Sequence, residues 1–136
     1  MLLETERLII ASISMPEFEP DVGTVVVMNG IFIKPEGLTA ERLMEDPDPY
    51  SKIGKPIGMI SVGANGWIDY LVAEEYRNNG YATESLEAAK QFVFDNKEEP
   101  FLVIEDDNEA SLAVAKKCGF GLVAKTENDG RYYVGY

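Results

Sequence analysis

The chain has 136 residues, with 12 lysines and arginines against 24 aspartates and glutamates, a net charge of −12 and no histidine. The length fits one domain over residues 1–136, and 46% hydrophobic residues support a packed core. So acidic a chain is a poor partner for nucleic acid or anionic membrane, and the missing imidazoles argue against a metal site.

No apolar run is long enough to span a bilayer, and Glu4 and Glu6 stand where a signal peptide carries bases. The lone Cys118 rules out an internal disulfide. The expected location is therefore the cytoplasm, and a monomer or a homodimer fits equally. The charge would steer a cationic partner such as an amine, although it also serves plain solubility.

In chain order, Arg7 to Ile13 reads as a first strand, broken by Pro16 and Pro20. Thr24 to Met28 is a second β-prone run. Asn29-Gly30 reads as a tight turn, with Ile31-Phe32-Ile33 returning as its partner. Thr39 can cap a short helix through Leu43, which Pro47 and Pro49 end. Tyr50 to Ile53, a Gly54-Lys55-Pro56 turn and Ile57 to Val62 read as a hairpin. Asn65-Gly66 signals another turn before a strand from Trp67 to Val72.

Tyr81 to Asn96 is a helix with Ala82, Leu86, Ala89 and Val93 on one face. Phe101 to Ile104 has the continuous apolar character of a buried strand. Asn108 can cap the next helix, which ends at Lys116-Lys117-Cys118. Gly119 then takes a left-handed position and Phe120 folds back. Gly121 to Thr126 and Arg131 to Tyr136 form a last hairpin around Asn128-Asp129-Gly130. The order is β-rich, then β-α-β-α-β-β, with parallel strands flanking the Tyr81 helix.

The most informative stretch is Arg77, Gly80 and Ala82, spaced R-x-x-G-x-A between a strand and a helix start. A glycine turn and a first helical turn leave N–H groups unpaired, and the helix dipole adds partial positive charge. Such a place suits a phosphate or pyrophosphate. Elsewhere, Cys118 reads as a small buried hydrophobe rather than a nucleophile. Asp69 and Glu105 are strand carboxylates that can take a proton through water, or simply face solvent. Trp67, Tyr70 and Tyr81 read as packing. Tyr132, Tyr133 and Tyr136 read as core or as the wall of an amine pocket.

Three stretches resemble the GNAT superfamily of acetyl-CoA-dependent N-acetyltransferases, and in particular its ribosomal-protein N-terminal acetyltransferase branch. Leu3-Glu4-Thr5-Glu6-Arg7-Leu8 is similar to the opening strand of that branch. Glu75 to Glu84 is similar to the coenzyme-A pyrophosphate loop. Asp107-Asn108-Glu109-Ala110-Ser111 through Cys118-Gly119-Phe120 is similar to the helix that follows, with its N-E-A-S start and G-F end. The likeness covers most of residues 50–126.

The resemblance implies an α/β (α+β) fold: a mixed, mostly antiparallel central sheet flanked by helices, with a parallel β-α-β unit at the coenzyme loop. It implies direct acetyl transfer from acetyl-CoA to a primary amine, on a small molecule or a protein N-terminus. Asn78, Asn79, Gly80, Tyr81, Ala82 and Thr83, with Arg77, would hold the pyrophosphate. Leu71 and Val72 would pair with the pantetheine arm where parallel strands splay. Asn108 would contact the pantetheine or thioester, and Ser111 would lie near the departing sulfur. Asp69, on the strand entering the loop, is the candidate base from its position alone, acting through water.

Three departures stand out. Asn78 and Asn79 replace the basic residues common in this loop. Ala115 stands where several relatives carry a tyrosine acid, and Val103 where some carry a glutamate base. The last two, together with Glu74, Glu75 and Glu84, acids that crowd the loop and would repel phosphates, also fit an alternative, a coenzyme-binding or interaction module with little or no catalysis.

Overall fold

A computed structural model describes residues 2–12, 28–47, 53–63, 65–105, 107–125 and 130–135. Strands β1 (Leu2–Glu4), β2 (Leu8–Ser12), β3 (Met28–Ile33), β4 (Gly58–Val62) and β5 (Ile68–Val72) pair antiparallel in that order as a five-stranded sheet. Strands β6 (Phe101–Glu105), β7 (Phe120–Lys125) and β8 (Gly130–Gly135) form a second sheet in the order β6-β8-β7. Helices α1 (Ala40–Met44), α2 (Tyr81–Asp95) and α3 (Glu109–Lys117) flank them, with a 3-10 turn at Glu74–Tyr76. The expected mixed architecture, an antiparallel sheet flanked by helices, is what forms. Among the described residues no helix is long and apolar enough to cross a membrane.

Strand β2 explains why this sheet holds together. Leu8 and Ile10 face one side, Ile9 and Ala11 the other, and both sides are covered. The larger core packs Ile31, Ile60, Ile68 and Val72 against Leu86, Ala89 and Val93 of α2, and against Leu102, Ala115 and Phe120. The smaller core joins Ile9, Ala11 and Phe32 to Leu43 of α1 and to Ile53. On α2 the 3.6-residue period brings Leu86, Ala89 and Val93 inward, and Ser85 joins them fully buried. Helix α1 starts where Thr39 accepts from the Arg42 N–H, as its residue type requires.

Three expectations need correction. Asn29-Gly30 is not a turn but the middle of β3, paired with β2 and β4. The reason is burial: Asn29 is 1% exposed and donates to the Ile60 carbonyl, so it satisfies itself inside the sheet. The hairpin expected from Tyr50 to Val62 does not form, because β4 pairs with β3 and β5. Residues 50–52 lie outside the described residues, as do Thr24–Val27 and the turn at 126–129. The opening strand implied for Leu3 to Leu8 is split, since β1 ends at Glu4 and Thr5 to Arg7 lead into β2, while the strand expected from Arg7 forms as Leu8–Ser12. The parallel unit expected around the Tyr81 helix forms.

Strands β5 and β6 flank α2 and run parallel, but they meet at a single bridge, Trp67 to Phe101. The Phe101 N–H donates to the Gly66 carbonyl at 3.0 Å. Gly66 has φ 88°, and a Cβ there would lie 2.2 Å from the Glu99 carbonyl oxygen. The close approach of two backbones therefore requires glycine. Beyond this joint the strands belong to different sheets and part, leaving a cleft between them.

Candidate active site

The cleft opens into a cavity of about 610 Å³, within the range of small-molecule sites. Its walls are the end of β5, the loop from Tyr76 to Gly80, the first turn of α2 and one side of α3. Of the residues expected to hold the coenzyme, Leu71, Val72, Arg77, Asn78, Gly80, Tyr81, Ala82, Thr83 and Asn108 all line it. Ser111 lines it too. Asn79 does not: its side chain donates to the Tyr76 and Arg77 carbonyls, and its own carbonyl accepts from Arg7. Asn79 therefore shapes the loop from behind.

The loop geometry is that of an anion cradle. Asn78 and Gly80 both have left-handed backbone, at φ 64° and 79°. Alternating such residues with ordinary ones turns successive N–H groups to one side. Gly80 is the N-cap of α2 and brings no side chain to cap it. The N–H groups of Tyr81, Ala82 and Thr83 thus emerge at the positive end of a 15-residue helix.

Sequence reading left one difficulty, the acids crowding this loop. Glu84 turns away from the cavity and accepts from Thr5 Oγ1, from the Arg7 N–H at 3.0 Å and from Arg7 Nε at 2.8 Å. Partial burial raises its pKa, but the bonds from Thr5 and Arg7 outweigh this and hold the carboxyl below its ordinary range. The same bond raises the Arg7 guanidinium. Arg7 also donates to the Asn79 carbonyl at 2.9 Å and stacks 4.6 Å over the Tyr81 ring. Glu74 and Glu75 are exposed and line nothing here.

Arg7 is the functional residue that sequence reading missed, because its partners lie 72 and 77 residues away. A second omission is Lys117, a basic residue in the last turn of α3 that also lines the cavity. With Arg77 it gives the cavity two cations. Arg77 Nε donates to the Val72 carbonyl at 2.9 Å, tying loop to strand.

At the other end, Asn108 caps α3, its Oδ1 accepting from the Ser111 N–H at 3.2 Å. That bond explains the N-x-x-S spacing, since a cap reaches the third residue of its helix. Ala110 and Ala113 keep the wall low. Ala115 points into the core with no exposure, so no side chain at that position would reach the cavity without repacking. Tyr70 lines the cavity with its hydroxyl buried, which corrects its reading as packing alone.

Asp69 is not brought to Ser111. Strand alternation puts Ile68, Tyr70 and Val72 toward the helices and Asp69 on the opposite, exposed face with Trp67 and Leu71. Val103 and Glu105 are exposed at β6. Cys118 is buried, its Sγ 3.5 Å from the Thr83 carbonyl. Burial pushes its thiol up to about 11. Tyr132 and Tyr133 lie in β8, but their side chains, like Tyr136, fall outside what is described. Among the described residues no cluster of side chains could hold a metal ion.

Known proteins point the same way. Among curated proteins none matches the chain by sequence. An acetyltransferase from Agrobacterium tumefaciens superimposes with a TM-score of 0.70 at 18% identity, over 100% of this chain and 94% of that one. RimL, a ribosomal alpha-N-protein acetyltransferase, gives 0.60 at 20% identity, over 80% of this chain and 59% of its own. MccE, a microcin self-immunity acetyltransferase in complex with acetyl-CoA and AMP, gives 0.56 at 20% identity over the same shares, 80% and 59%. These likenesses concern the fold. The profile of the acetyltransferase (GNAT) family matches residues 13–120, most of the chain, and with that match the chain belongs to the GNAT acetyltransferases, whose reaction is acetyl transfer from acetyl-CoA.

Proposed function

We propose that this chain transfers the acetyl group of acetyl-CoA to a primary amine by direct attack. The observation that carries this reading is the continuous cavity running from the α2 N-terminus to Ser111, past the end of β5. The N–H groups of Asn78 to Thr83, with Arg77, hold the pyrophosphate. Arg7 withdraws Glu84 and so lets a dianion approach. Leu71 and Val72 line up with the pantetheine arm, and Asn108 with its amides. Ser111 stands by the sulfur.

An ammonium cannot attack, so the amine reaches the thioester neutral, its proton passing to solvent or to a carboxylate. Asp69 can act only on an acceptor that arrives from the open face of β5. Backbone N–H groups where the strands part can support the developing oxyanion. Side-by-side binding supplies the entropic part of the acceleration. Cys118 takes no part, because a buried thiol titrating at about 11 is not a nucleophile.

One observation favours a second reading, a coenzyme-binding module with little catalysis: no carboxylate lines the cavity among the described residues. Two measurements separate the readings. Calorimetry with acetyl-CoA is expected to show binding, and none at millimolar coenzyme ends both. Thiol release over a panel of small amines and N-terminal peptides is expected on at least one acceptor, which ends the second.

A further inference from the structure

Tyr70 is unusual among the cavity residues. Its ring packs on the larger core, yet its hydroxyl is buried and makes no hydrogen bond among the described residues. A buried phenol without a partner is unfavourable, so the arrangement is one that a small shift on loading would complete. Ser111 lines the same cavity from α3. The helix itself offers no tyrosine here, since Ala115 is buried in the core.

We propose that in the coenzyme-loaded protein the Tyr70 hydroxyl donates to Ser111 Oγ, and so aims the Ser111 O–H at the sulfur that leaves. This rests on the reading of the cavity as the acetyl-CoA site. Tyr70 is then a positioning residue supplied by β5, where the helix lacks one. When the C–S bond breaks, its electron pair goes to sulfur. A Ser111 hydroxyl that already accepts a bond is the stronger donor to that thiolate. Neither hydroxyl ionises. The proton that ends on sulfur is the one released by the amine nitrogen, carried by solvent.

The surroundings suit a hydroxyl that never loses its proton. Burial raises the Tyr70 phenol, and Cys118 just past α3 and Asp69 beside it on β5 act in the same direction. Arg77 and Lys117 are the cations on the cavity wall, and Tyr76 and Tyr81 the other phenols.

The test uses the full chain carrying Tyr70→Phe, Ser111→Ala and both. Steady-state thiol release is expected to show kcat down about tenfold in Tyr70→Phe, with KM for acetyl-CoA within about twofold. In the Ser111→Ala background Tyr70→Phe is expected to add nothing. A second readout needs no turnover: calorimetry of coenzyme A binding from about pH 6 to about pH 10 reports the bound thiol's titration. That titration is expected at higher pH in Tyr70→Phe than in the parent. An unchanged kcat with an unchanged thiol titration, or independent effects of the two substitutions, overturns the proposal. Should Tyr70→Phe not fold, 3-fluorotyrosine at this position keeps the ring and makes the hydroxyl a stronger donor, and an unmoved titration of the bound thiol overturns it. Absence of coenzyme A binding by the parent chain overturns the acetyl-CoA reading itself, and this proposal with it.

Discussion

The anion cradle is best tested at Asn78, because aspartate there changes charge and little else. Asn78 is exposed, lines the cavity and has φ 64°. Aspartate has nearly the same shape and accepts that backbone, so melting should move by no more than about 2 °C. A phosphate charge about 6 Å from the new carboxylate, at an effective dielectric near 55, is repelled by about 1 kcal/mol. Two phosphate charges make this about 2 kcal/mol, or about 30-fold in affinity at low salt. Screening at physiological ionic strength, with a Debye length of about 8 Å, cuts the penalty to about 1 kcal/mol, or about fivefold. Calorimetric titration of Asn78→Asp with coenzyme A at both salt concentrations measures this. A folded variant that binds as the parent does at low salt would falsify the cradle. Asn78→Arg is the mirror case, tighter for coenzyme A but less stable by about 1 kcal/mol, because arginine dislikes the left-handed backbone.

Three further outcomes follow from geometry already described. A Cβ at Gly58 would lie 2.3 Å from the Leu71 carbonyl oxygen and 3.0 Å from Val72 Cα. Gly58→Ala must therefore push β5 off β4 at the cavity wall, and a loss of roughly 3 kcal/mol is expected in urea unfolding; an unchanged midpoint contradicts the contact. Glu84 sits below its ordinary value of 4.5, so what it contributes is complete above that pH and fades as pH falls through the lower, folded value. Glu84→Gln should flatten the acid limb of stability against pH, and an unaltered limb means the Arg7 contact does not form. Cys118, raised from 9.0 to about 11, contributes fully below about pH 9 and less as pH climbs toward 11. At about pH 8 only on the order of one thiol in a thousand is ionised. A disulfide reagent should thus label the chain in urea but not when folded; rapid native labelling shows the burial to be wrong.

Local signals found most of the elements and much of the cavity. Thr39, Asn108 and Gly119 mark helix ends because each satisfies a local backbone need, and each does so in the structure. Gly80 and the helix start could be read as an anion site because adjacent residues build it. What local signals could not show was distant. Asn29-Gly30 carries turn residues, but its environment is set by Ser12 and Ile60 on neighbouring strands. Arg7 acts on a loop more than 70 residues downstream, and no spacing rule connects the two. Strand alternation does predict that Asp69 and Tyr70 face opposite ways. Which of the two faces the cavity depended on where α3 lands, and that is a tertiary fact.

The Gly66 joint has a mechanical meaning. Among the described residues the two sheets touch at one backbone contact, so they behave as two plates on a common pivot. From Trp67 to Val72 the arm is about 17 Å long at about 3.3 Å per residue. A turn of about 5° at the pivot moves the far end by about 1.5 Å, roughly the length of one carbon–carbon bond. No ladder of hydrogen bonds resists that turn between β5 and β6; the packing of α2 and α3 across the gap does. The width of the cavity is accordingly a property of helix side chains such as Leu86 and Leu112, and enlarging or trimming them adjusts it without touching a residue that lines it.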